Sequence, residues 1–403
     1  MNCSGRRKMS AELVADDQCK PFSQHKDDLY LPQELCKDIL SRLPIRSILR
    51  FKCVYKPWRN LIEGGEFATS YTVKPCLAFN YGMGYGVCDE TFQPLLRFNF
   101  PRCDKGSRRA VINSANGLLL VRNGCNTILS VCNPMTCECI ELPPLMTLMN
   151  SEYRNGRGVI LGFGVSKLSG QYKIVSISEY SRASRSSYCE IYTLESGGGL
   201  WRSITTPAVG SLIPGLGIAA FLNGNLHWMA SGSKESGYGG YNSEENLLVC
   251  RCFDLETEIF TSFSLPHVDN AGDRDLAFVG RQYGLCVLED QLCFCGILQA
   301  NRVDIWCMED YGDDKSWIKK YAFLQTADIL GPVLPLKVLA NDDLLFAVHS
   351  KNQLFIYSKN AQTVTGGLLK PFLCRSSYVA IYTPNFLSLK AMGIHNVQAL
   401  SFD

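Results

Sequence analysis

The stretch that decides how this chain is organised reads Leu31-Pro32-Gln33-Glu34-Leu35-Cys36-Lys37-Asp38-Ile39-Leu40-Ser41-Arg42-Leu43-Pro44 and continues to Ile62. It places many large apolar side chains in what reads as three short helices. A unit of this size cannot close a hydrophobic core alone, because domains below roughly 40 residues usually need a metal, a disulfide or a partner. The stretch therefore predicts a helical segment that docks onto another surface.

The helical reading rests on spacing and on prolines. Leu35, Ile39 and Leu43 recur every four residues, which gives one apolar stripe on a first helix. Pro44 can end that helix and open a second, and Pro57 can open a third, because proline suits the first helical turn. The second helix is apolar on more than one side, so it needs cover from several directions. That cover can come from the rest of this chain or from a partner.

The order of residues adds a resemblance to these patterns. Leu-Pro-x-Glu-Leu, Arg-Leu-Pro and Lys-x-Trp, spread over residues 29 to about 70, resemble the F-box in the form common in plant proteins. In that family the motif binds the Skp adaptor of a Skp–cullin–F-box ubiquitin ligase. Carried over position by position, the resemblance implies adaptor contacts at Leu31, Pro32, Leu35, Ile39, Leu40, Leu43, Pro44, Leu49, Phe51, Val54 and Trp58. Some of these hold the three helices together instead, and Tyr55 departs from the family, where many relatives carry a cysteine.

Length and composition limit the number of domains, the partners and the compartment that can be expected. With 403 residues, 46% of them hydrophobic, the chain has room for two domains. A net charge of +2 gives no general attraction for nucleic acid or an anionic membrane. Residues 1–26 are polar and read as a disordered tail, and neither a signal peptide nor a membrane span is recognisable. We therefore expect a protein of the cytoplasm and/or nucleus.

The 19 cysteines do not predict a disulfide framework. Their number is odd, their spacing is scattered, and without an export signal a reducing compartment is expected. Cys250-x-Cys252 and Cys293-x-Cys295 lack the spacing of zinc sites, and on a strand both thiols of such a pair point to one face. These cysteines read as small buried hydrophobes, so no metal and no other cofactor is expected.

Beyond Gly64-Gly65 the pattern changes to short β-branched and aromatic runs cut by turn residues, which is typical of many short strands. Asn116-Gly117 and Asn223-Gly224 each precede an apolar run, and Asp290-Gln291 does so more loosely. Asn-Gly favours a two-residue hairpin because a type I′ turn needs positive φ at both central residues. Such repetition suggests a β-propeller of roughly six to eight blades at ~40–50 residues each. A large β-sandwich or an irregular β domain is the alternative.

Four blocks of this region are similar, in order, to blocks of plant F-box-associated domains. They are Gly162–Val165, Leu222–Trp228, Phe253–Phe260 and Val303–Gly312. The resemblance implies a kelch-like β fold over most of 75–385. The chain is thus predicted to be multidomain: an N-terminal tail (1–26), a small all-α three-helix F-box (27–70), a large all-β, propeller-like domain of kelch type (75–390) and a C-terminal tail (391–403).

The sequence offers no recognised motif for covalent catalysis. The chain lacks a G-x-S-x-G elbow, a Walker phosphate loop and an H-E-x-x-H helix. His227, inside a predicted strand beside Trp228, reads as a core residue. Recognition through loops remains, and exposed tyrosines are frequent interface anchors. The candidate substrate-binding residues are Tyr81, Tyr85, Tyr153, Tyr238 and Tyr241, although such tyrosines can equally pin the loops to the scaffold.

Together these patterns and resemblances predict a non-catalytic, substrate-recognition subunit of a Skp–cullin–F-box ubiquitin ligase. Its partners would be a Skp-family adaptor, a cullin reached through that adaptor, and a target protein that the sequence does not name. No nucleic acid and no membrane are expected as partners. Two alternatives stay open: a kelch-type propeller enzyme, and an adaptor-bound scaffold that does not promote degradation.

Overall fold

The computed structural model describes residues 31–71, 73–81, 84–89, 91–101, 110–123, 128–145, 159–179, 187–204, 219–232, 247–266, 283–297, 301–348, 353–368 and 379–402. Four helices come first along the chain: α1 (Gln33–Ser41), α2 (Ile45–Val54), α3 (Lys56–Ile62) and α4 (Gly65–Ser70). The three helices expected from the sequence are confirmed. The fourth begins at Gly65, where the sequence pattern was read as the start of the β region.

Prolines mark the starts of the first three helices. Pro32 and Pro44 are the N-cap residues of α1 and α2, with extended ψ angles of 141° and 146°. Pro57 lies in the first turn of α3. Its missing N–H has no helical partner at that position in any case, and its fixed φ suits the helix. The prolines therefore divide one apolar stretch into short helices that turn sharply against each other.

Twenty-six strands follow among the described residues. In chain order they are β1 (Cys76–Tyr81), β2 (Gly84–Cys88), β3 (Pro94–Asn99), β4 (Ala110–Ala115), β5 (Leu118–Asn123), β6 (Ile128–Asn133), β7 (Glu138–Glu141), β8 (Val159–Val165), β9 (Tyr172–Glu179), β10 (Ser187–Thr193), β11 (Arg202–Ile204), β12 (Ala220–Leu222), β13 (Asn225–Gly232), β14 (Leu247–Asp254), β15 (Phe260–Ser264), β16 (Tyr283–Leu288), β17 (Gln291–Ile297), β18 (Arg302–Met308), β19 (Trp317–Leu324), β20 (Val333–Val338), β21 (Leu344–Val348), β22 (Leu354–Ser358), β23 (Thr363–Leu368), β24 (Val379–Tyr382), β25 (Gln398–Ala399) and β26 (Ser401–Phe402). A 3₁₀ turn, Ala327–Ile329, precedes β20.

The strands form six antiparallel sheets, which are the blades of a propeller. From the innermost strand outward, blade 1 is β24-β1-β2-β3-β26 and blade 2 is β4-β5-β6-β7-β25. Blades 3 to 6 are β8–β11, β12–β15, β16–β19 and β20–β23. Each innermost strand contacts the innermost strands of both neighbouring blades, so the ring is closed. The predicted propeller is confirmed, with six blades.

Blade 1 closes the ring because it combines strands from both ends of the β region. β24, from the C-terminal part, pairs with β1 in antiparallel register. Closure removes the edges that an open sheet of this size would leave unpaired at its inner strands.

Two of the expected hairpin turns appear as predicted. Asn116-Gly117 (φ 39° and 83°) joins β4 to β5, and Asn223-Gly224 (φ 52° and 80°) joins β12 to β13. The third hairpin, between β16 and β17, turns at Glu289-Asp290 (φ 48° and 59°), one residue earlier than expected. All three have the positive φ pair of a type I′ turn.

Residues 383–402 are not a separate tail. After β24 the chain runs on as a segment, residues 383–402, that we call the C-terminal strap. Its two short strands pair with the outer strands of two blades, β25 with β7 and β26 with β3. The predicted boundary at 390 is therefore wrong, because the unpaired backbone of an outer strand offers partners that hydropathy does not reveal. The predicted N-terminal tail lies outside the described residues.

The propeller has two unlike faces. From the innermost strand outward, the first four strands of every blade are antiparallel to their neighbours, and β24 supplies the innermost strand of blade 1. Every innermost strand therefore runs in the same direction, and successive connections along the chain alternate between the two ends of the propeller. One end, which we call the tight-turn face, carries the turns 89–93, 116–117, 134–137, 223–224 and 289–290. The opposite end, the long-connection face, is where the strands flanking 102–109, 146–158, 205–218, 233–246 and 267–282 end or begin.

The core is distributed between the blades. Five apolar clusters among the described residues lie between neighbouring blades, and another joins the helices to blades 1 and 2. Cys250 and Cys252 are buried, as are Cys293 and Cys295, so the prediction of buried cysteines is confirmed for these pairs. Across the described ranges, no group of three or more histidine, cysteine or acidic side chains is placed to hold a metal ion.

Candidate functional site

An apolar surface lies on the outer side of the helical segment. Its members are Leu31, Leu35, Ile39, Val54 and Tyr55, with exposed fractions that run from 46% for Leu31 to 75% for Val54. We call these five residues the exposed helical patch. Leu35 and Ile39 share one face of α1 because they are four residues apart. Several large apolar side chains left exposed on one small helical segment are typical of a protein-binding surface.

The other sides of the same helices are fixed to the propeller. Ile45, Ile48 and Ile62 are buried in one continuous apolar cluster with Tyr382 and Phe386 of the C-terminal part. The propeller thus covers the inner sides of the helices, and no other described part of the chain covers the exposed helical patch.

Polar contacts reinforce this docking. Arg46 donates from Nη2 to Asp89 Oδ2 at 3.1 Å and to the Pro94 main-chain oxygen at 3.0 Å, which ties α2 to the β2–β3 turn. Burial acts to raise the pKa of Asp89, but hydrogen bonds from Thr91, Gln93 and Arg46 outweigh it and hold that pKa below its usual value. The carboxylate is therefore charged where it meets Arg46.

Within the helical segment, an ion pair links the first helix to the last. Lys37 Nζ lies 2.7 Å from Glu66 Oε2, so α1 is joined to α4. This hydrogen bond raises the pKa of Lys37 and lowers the pKa of Glu66. Tyr71, just after α4, donates from its hydroxyl to the Leu43 main-chain oxygen at 2.7 Å.

The structure sorts the eleven predicted adaptor contacts by exposure. Six are exposed: Leu31, Pro32, Leu35, Ile39, Pro44 and Val54. Four are half-buried and pack against the apolar cluster beneath the helices: Leu43, Leu49, Phe51 and Trp58. Leu40 is only 3% exposed, so its inclusion is corrected: its side chain lies in the apolar cluster beneath the helices and offers no surface to a partner.

Tyr55 was not among the predicted contacts, yet it belongs to the exposed helical patch. Its ring meets Trp58 edge-on, with centroids 5.8 Å apart, and Trp58 in turn meets Phe51 at 4.9 Å. The sequence signal was its place in the α2–α3 junction, directly after the off-stripe Val54. An aromatic ring at such a junction adds contact area with little side-chain entropy to lose.

The tyrosines proposed for target binding fare differently. Tyr85 lies inside β2, is fully buried, stacks on Phe98 and donates from its hydroxyl to the Arg122 main-chain oxygen at 2.9 Å. It is therefore a core residue, and the loop prediction for it is wrong because β2 already begins at Gly84 and pairs with both β1 and β3. Tyr81 is the last residue of β1. Tyr153, Tyr238 and Tyr241 lie outside the described residues.

The innermost strands enclose a channel of about 560 Å³. Phe221, Val287 and Ile381 give it an apolar lining, and Asn113 and Lys337 add polar groups. Each of these two polar residues follows a register shift in its strand, a device that re-aims side chains. The volume suits a small molecule. Among the described lining residues, no nucleophile is hydrogen-bonded to a base.

His227 is a core residue, as predicted. It is fully buried in β13, with Nδ1 3.1 Å from the Ala220 main-chain oxygen and Nε2 2.7 Å from the Tyr311 hydroxyl. Burial lowers its pKa to about 4. A histidine held neutral and satisfied in this way contributes to packing between blades.

Comparisons with known proteins agree with this architecture. The model of the family described as F-box associated beta propeller domain matches residues 90–374, and the model described as F-box domain matches residues 29–68. The chain is 26% identical to F-box protein At3g07870 of Arabidopsis thaliana, over 72% of each chain. It is 23% identical to F-box/kelch-repeat protein At3g23880 of the same plant, over 84% of this chain and 89% of that one. No helix among the described residues is long and apolar enough to cross a membrane.

Proposed function

Because the chain belongs to the F-box proteins that carry an F-box associated beta propeller domain, we propose that it is a substrate receptor of a Skp–cullin–F-box ubiquitin ligase. The helical segment binds a Skp-family adaptor and, through it, a cullin. The propeller holds a target protein within reach of the ubiquitin-conjugating enzyme. The chain supplies position rather than a catalytic group.

The observation that carries this proposal is the exposed helical patch on helices that are otherwise docked. Fully burying a leucine or isoleucine side chain contributes about 1.5–3 kcal/mol, so exposure of Leu35 and Ile39 leaves a substantial free energy available to a partner. The helices need no partner to fold, because their inner sides already pack on the propeller. This supports a surface kept free for binding.

The two faces of the propeller support a division of labour. The helices attach at the tight-turn face, where Arg46 reaches the β2–β3 turn and Lys52 reaches the β6–β7 turn. The long-connection face lies at the opposite end, and connections between strands carry binding residues more often than the strands do. We place the target site there, with Tyr81, Tyr153, Tyr238 and Tyr241 as its candidate residues.

Ubiquitin transfer would then be accelerated by proximity alone. Holding two reactants in one assembly replaces a bimolecular encounter with an effective local concentration, which reaches the millimolar range for short connections. No nucleophile or general base in this chain is required for that effect. The proposal therefore assigns the chemistry to the other subunits of the ligase.

Adaptor binding is tested by titrating the full chain with a recombinant Skp-family adaptor. Leu35→Asp and Ile39→Asp each place a charge in the exposed helical patch, and we expect affinity to fall by about 30-fold or more, as for an interface hot spot worth about 2 kcal/mol. Leu168→Asp is the matched control, because Leu168 is 84% exposed in the β8–β9 turn of the propeller. Wild-type affinity in both patch variants would remove the support for this surface, and no binding by the wild type would remove the proposed role.

Target recruitment is tested by proximity labelling in plant cells with the wild type and the Leu35→Asp/Ile39→Asp variant. The double variant is preferable to deletion of the helices, which would uncover the apolar cluster beneath them. A true target should accumulate on the variant, and proteasome inhibition should stabilise the same protein in cells with the wild type. A bound protein whose level never responds would instead indicate a scaffold without degradation.

A further inference from the structure

The C-terminal strap lies outside both matched family ranges, which end at residues 68 and 374. It nevertheless contacts α4, the residue that follows α4, and the outer strands of blades 1 and 2. Phe386 is fully buried, and its ring centroid lies 6.1 Å from that of Phe67 in α4 and 5.7 Å from that of Tyr71. The strap thus inserts an aromatic ring between the propeller and the last helix.

The strap is itself anchored to blade 2. Asn133 donates from Nδ2 to the Leu387 main-chain oxygen at 2.8 Å, and the Leu389 main-chain N–H donates to Glu138 Oε2 at 2.7 Å. Asn385 donates from Nδ2 to the Asn116 main-chain oxygen at 2.5 Å, in the β4–β5 turn. Because these partners belong to regular strands and tight turns, Phe386 is held on a rigid base.

Lys52 of α2 connects the same three parts. Its side chain is buried, and its Nζ donates to the Met135 main-chain oxygen in the β6–β7 turn at 2.7 Å. The Nζ also lies 3.1 Å from Glu63 Oε1 and 5.4 Å from the centroid of the Phe386 ring. One ammonium group therefore contacts a propeller turn, the end of α3 and the strap. A buried charge with several partners holds those partners in place, because the loss of any one of them leaves the buried charge poorly compensated.

We infer that the C-terminal strap is a clamp that locks the helical segment onto the propeller, and that Phe386 and Lys52 are positioning residues for ubiquitin transfer; this rests on the proposed receptor function. Neither residue belongs to the exposed helical patch, so neither contacts the adaptor. They act by fixing the direction in which the propeller, and any target on it, projects from the adaptor.

Rigidity matters here because the chain works by proximity. A target held at a fixed position keeps a small set of its lysines within reach of the conjugating enzyme. A propeller free to swing about residues 71–75 would spend only a fraction of its time in a productive orientation, and the effective concentration would fall accordingly. The clamp makes the helical segment and the propeller a single rigid unit.

The first test measures the angle between the two parts in the isolated full chain. Spin labels are introduced through unnatural amino acids at Arg50 and Leu200, both exposed, because the cysteines preclude thiol labelling. We expect a narrow distance distribution for the wild type and loss of that narrow distribution for Phe386→Ala and Lys52→Met. Phe386→Leu should restore much of it, because leucine keeps an apolar anchor.

Phe402→Ala is the matched control, since Phe402 lies on the same strap but is 46% exposed and pairs only with β3. Thermal unfolding of each variant identifies any that fails to fold, and if Phe386→Ala does not fold, Lys52→Met decides the outcome. A narrow distribution in folded Phe386→Ala and Lys52→Met would overturn the clamp, whatever the adaptor result.

The second test reads function without knowing the target. In a ligase reconstituted with adaptor, cullin and conjugating enzyme, ubiquitin is also transferred from the conjugating enzyme to lysines of the receptor chain itself, and mass spectrometry maps the sites. We expect the wild type to be modified at a restricted set, and Phe386→Ala at a wider set with a lower rate at the original sites. Adaptor affinity should stay unchanged in both positioning variants. An unchanged site pattern in a variant with a broadened distance distribution would overturn the positioning role.

Discussion

The Nε2 atom of His227 in blade 4 lies 2.7 Å from the hydroxyl oxygen of Tyr311 in blade 5. The other ring nitrogen, Nδ1, faces the Ala220 main-chain oxygen at 3.1 Å, and a carbonyl oxygen can only accept. Nδ1 therefore carries the proton of the neutral ring, and Nε2 accepts a hydrogen bond from Tyr311. This contact joins two blades through a histidine side chain whose burial disfavours its charged form.

The histidine makes the stability of the propeller depend on pH. Burial lowers its pKa from 6.5 to about 4, so the unfolded chain binds a proton more readily than the folded chain. The free energy of unfolding is not reduced by this histidine above pH 6.5. It falls as the pH drops from 6.5 toward 4, and the loss is about 2 kcal/mol at pH 5. Urea unfolding at pH 7.5 and pH 5 should show a smaller loss in His227→Gln than in the wild type. His395→Gln, at an exposed histidine, is the control and should behave as the wild type.

Leu40 and Leu35 lie on the same helix, but truncating them to alanine should change the stability of the protein by very different amounts. Leu40→Ala removes a 3% exposed side chain from the apolar cluster, and we expect a loss of about 2–5 kcal/mol in the free energy of unfolding. Leu35→Ala should leave stability within about 0.5 kcal/mol, because that side chain is half exposed to solvent. Chemical denaturation measures the free energy of unfolding of both variants. Equal stability losses in the two variants would contradict the orientation of α1.

Gly117 allows the C-terminal strap to approach the β4–β5 turn. Its φ of 83° disfavours any other residue, and an added Cβ would overlap the side chain of Asn385. We expect Gly117→Ala to cost about 2–4 kcal/mol, from backbone strain and overpacking together. Gly170→Ala separates the two terms, because Gly170 has a φ of 68° but nothing near its Cβ, so its loss should be only about 1–2 kcal/mol. The comparison is made by thermal and urea unfolding.

The parts of this fold that follow from sequence are those set by local chemistry. Pro44 and Pro57 divide the helices, and Asn116-Gly117 and Asn223-Gly224 form hairpins, because each requires only the conformational preferences of the residues concerned. The Glu289-Asp290 hairpin was displaced by one residue because it has no glycine to mark the positive φ positions. At that turn the pairing of β16 with β17 imposes positive φ angles on two residues that do not favour them.

Long-range partners were not predictable from the chain. Leu40 and Ile39 are adjacent apolar residues of α1, yet Leu40 is buried and Ile39 is half exposed, because Leu40 lies in the apolar cluster that α1 shares with α3 and α4. Tyr85 sits among glycines and looked like a loop residue, but its strand pairs with two neighbours. Phe386 carried no signal at all, since its partners Phe67 and Tyr71 are more than three hundred residues away in sequence.

Tyr55 provides a sharp test of the exposed helical patch because it departs from the residue common in relatives. Its ring is exposed and rests edge-on against Trp58, which is half-buried and can keep its place without Tyr55. We expect Tyr55→Ala to weaken adaptor binding by about 1–2 kcal/mol, the range for an aromatic anchor, while the melting temperature stays that of the wild type. Tyr188→Ala is the control, because that tyrosine is similarly exposed but lies on β10 of the propeller. If Tyr55→Ala binds the adaptor as the wild type does, the adaptor footprint ends at α1 and does not extend to the α2–α3 junction.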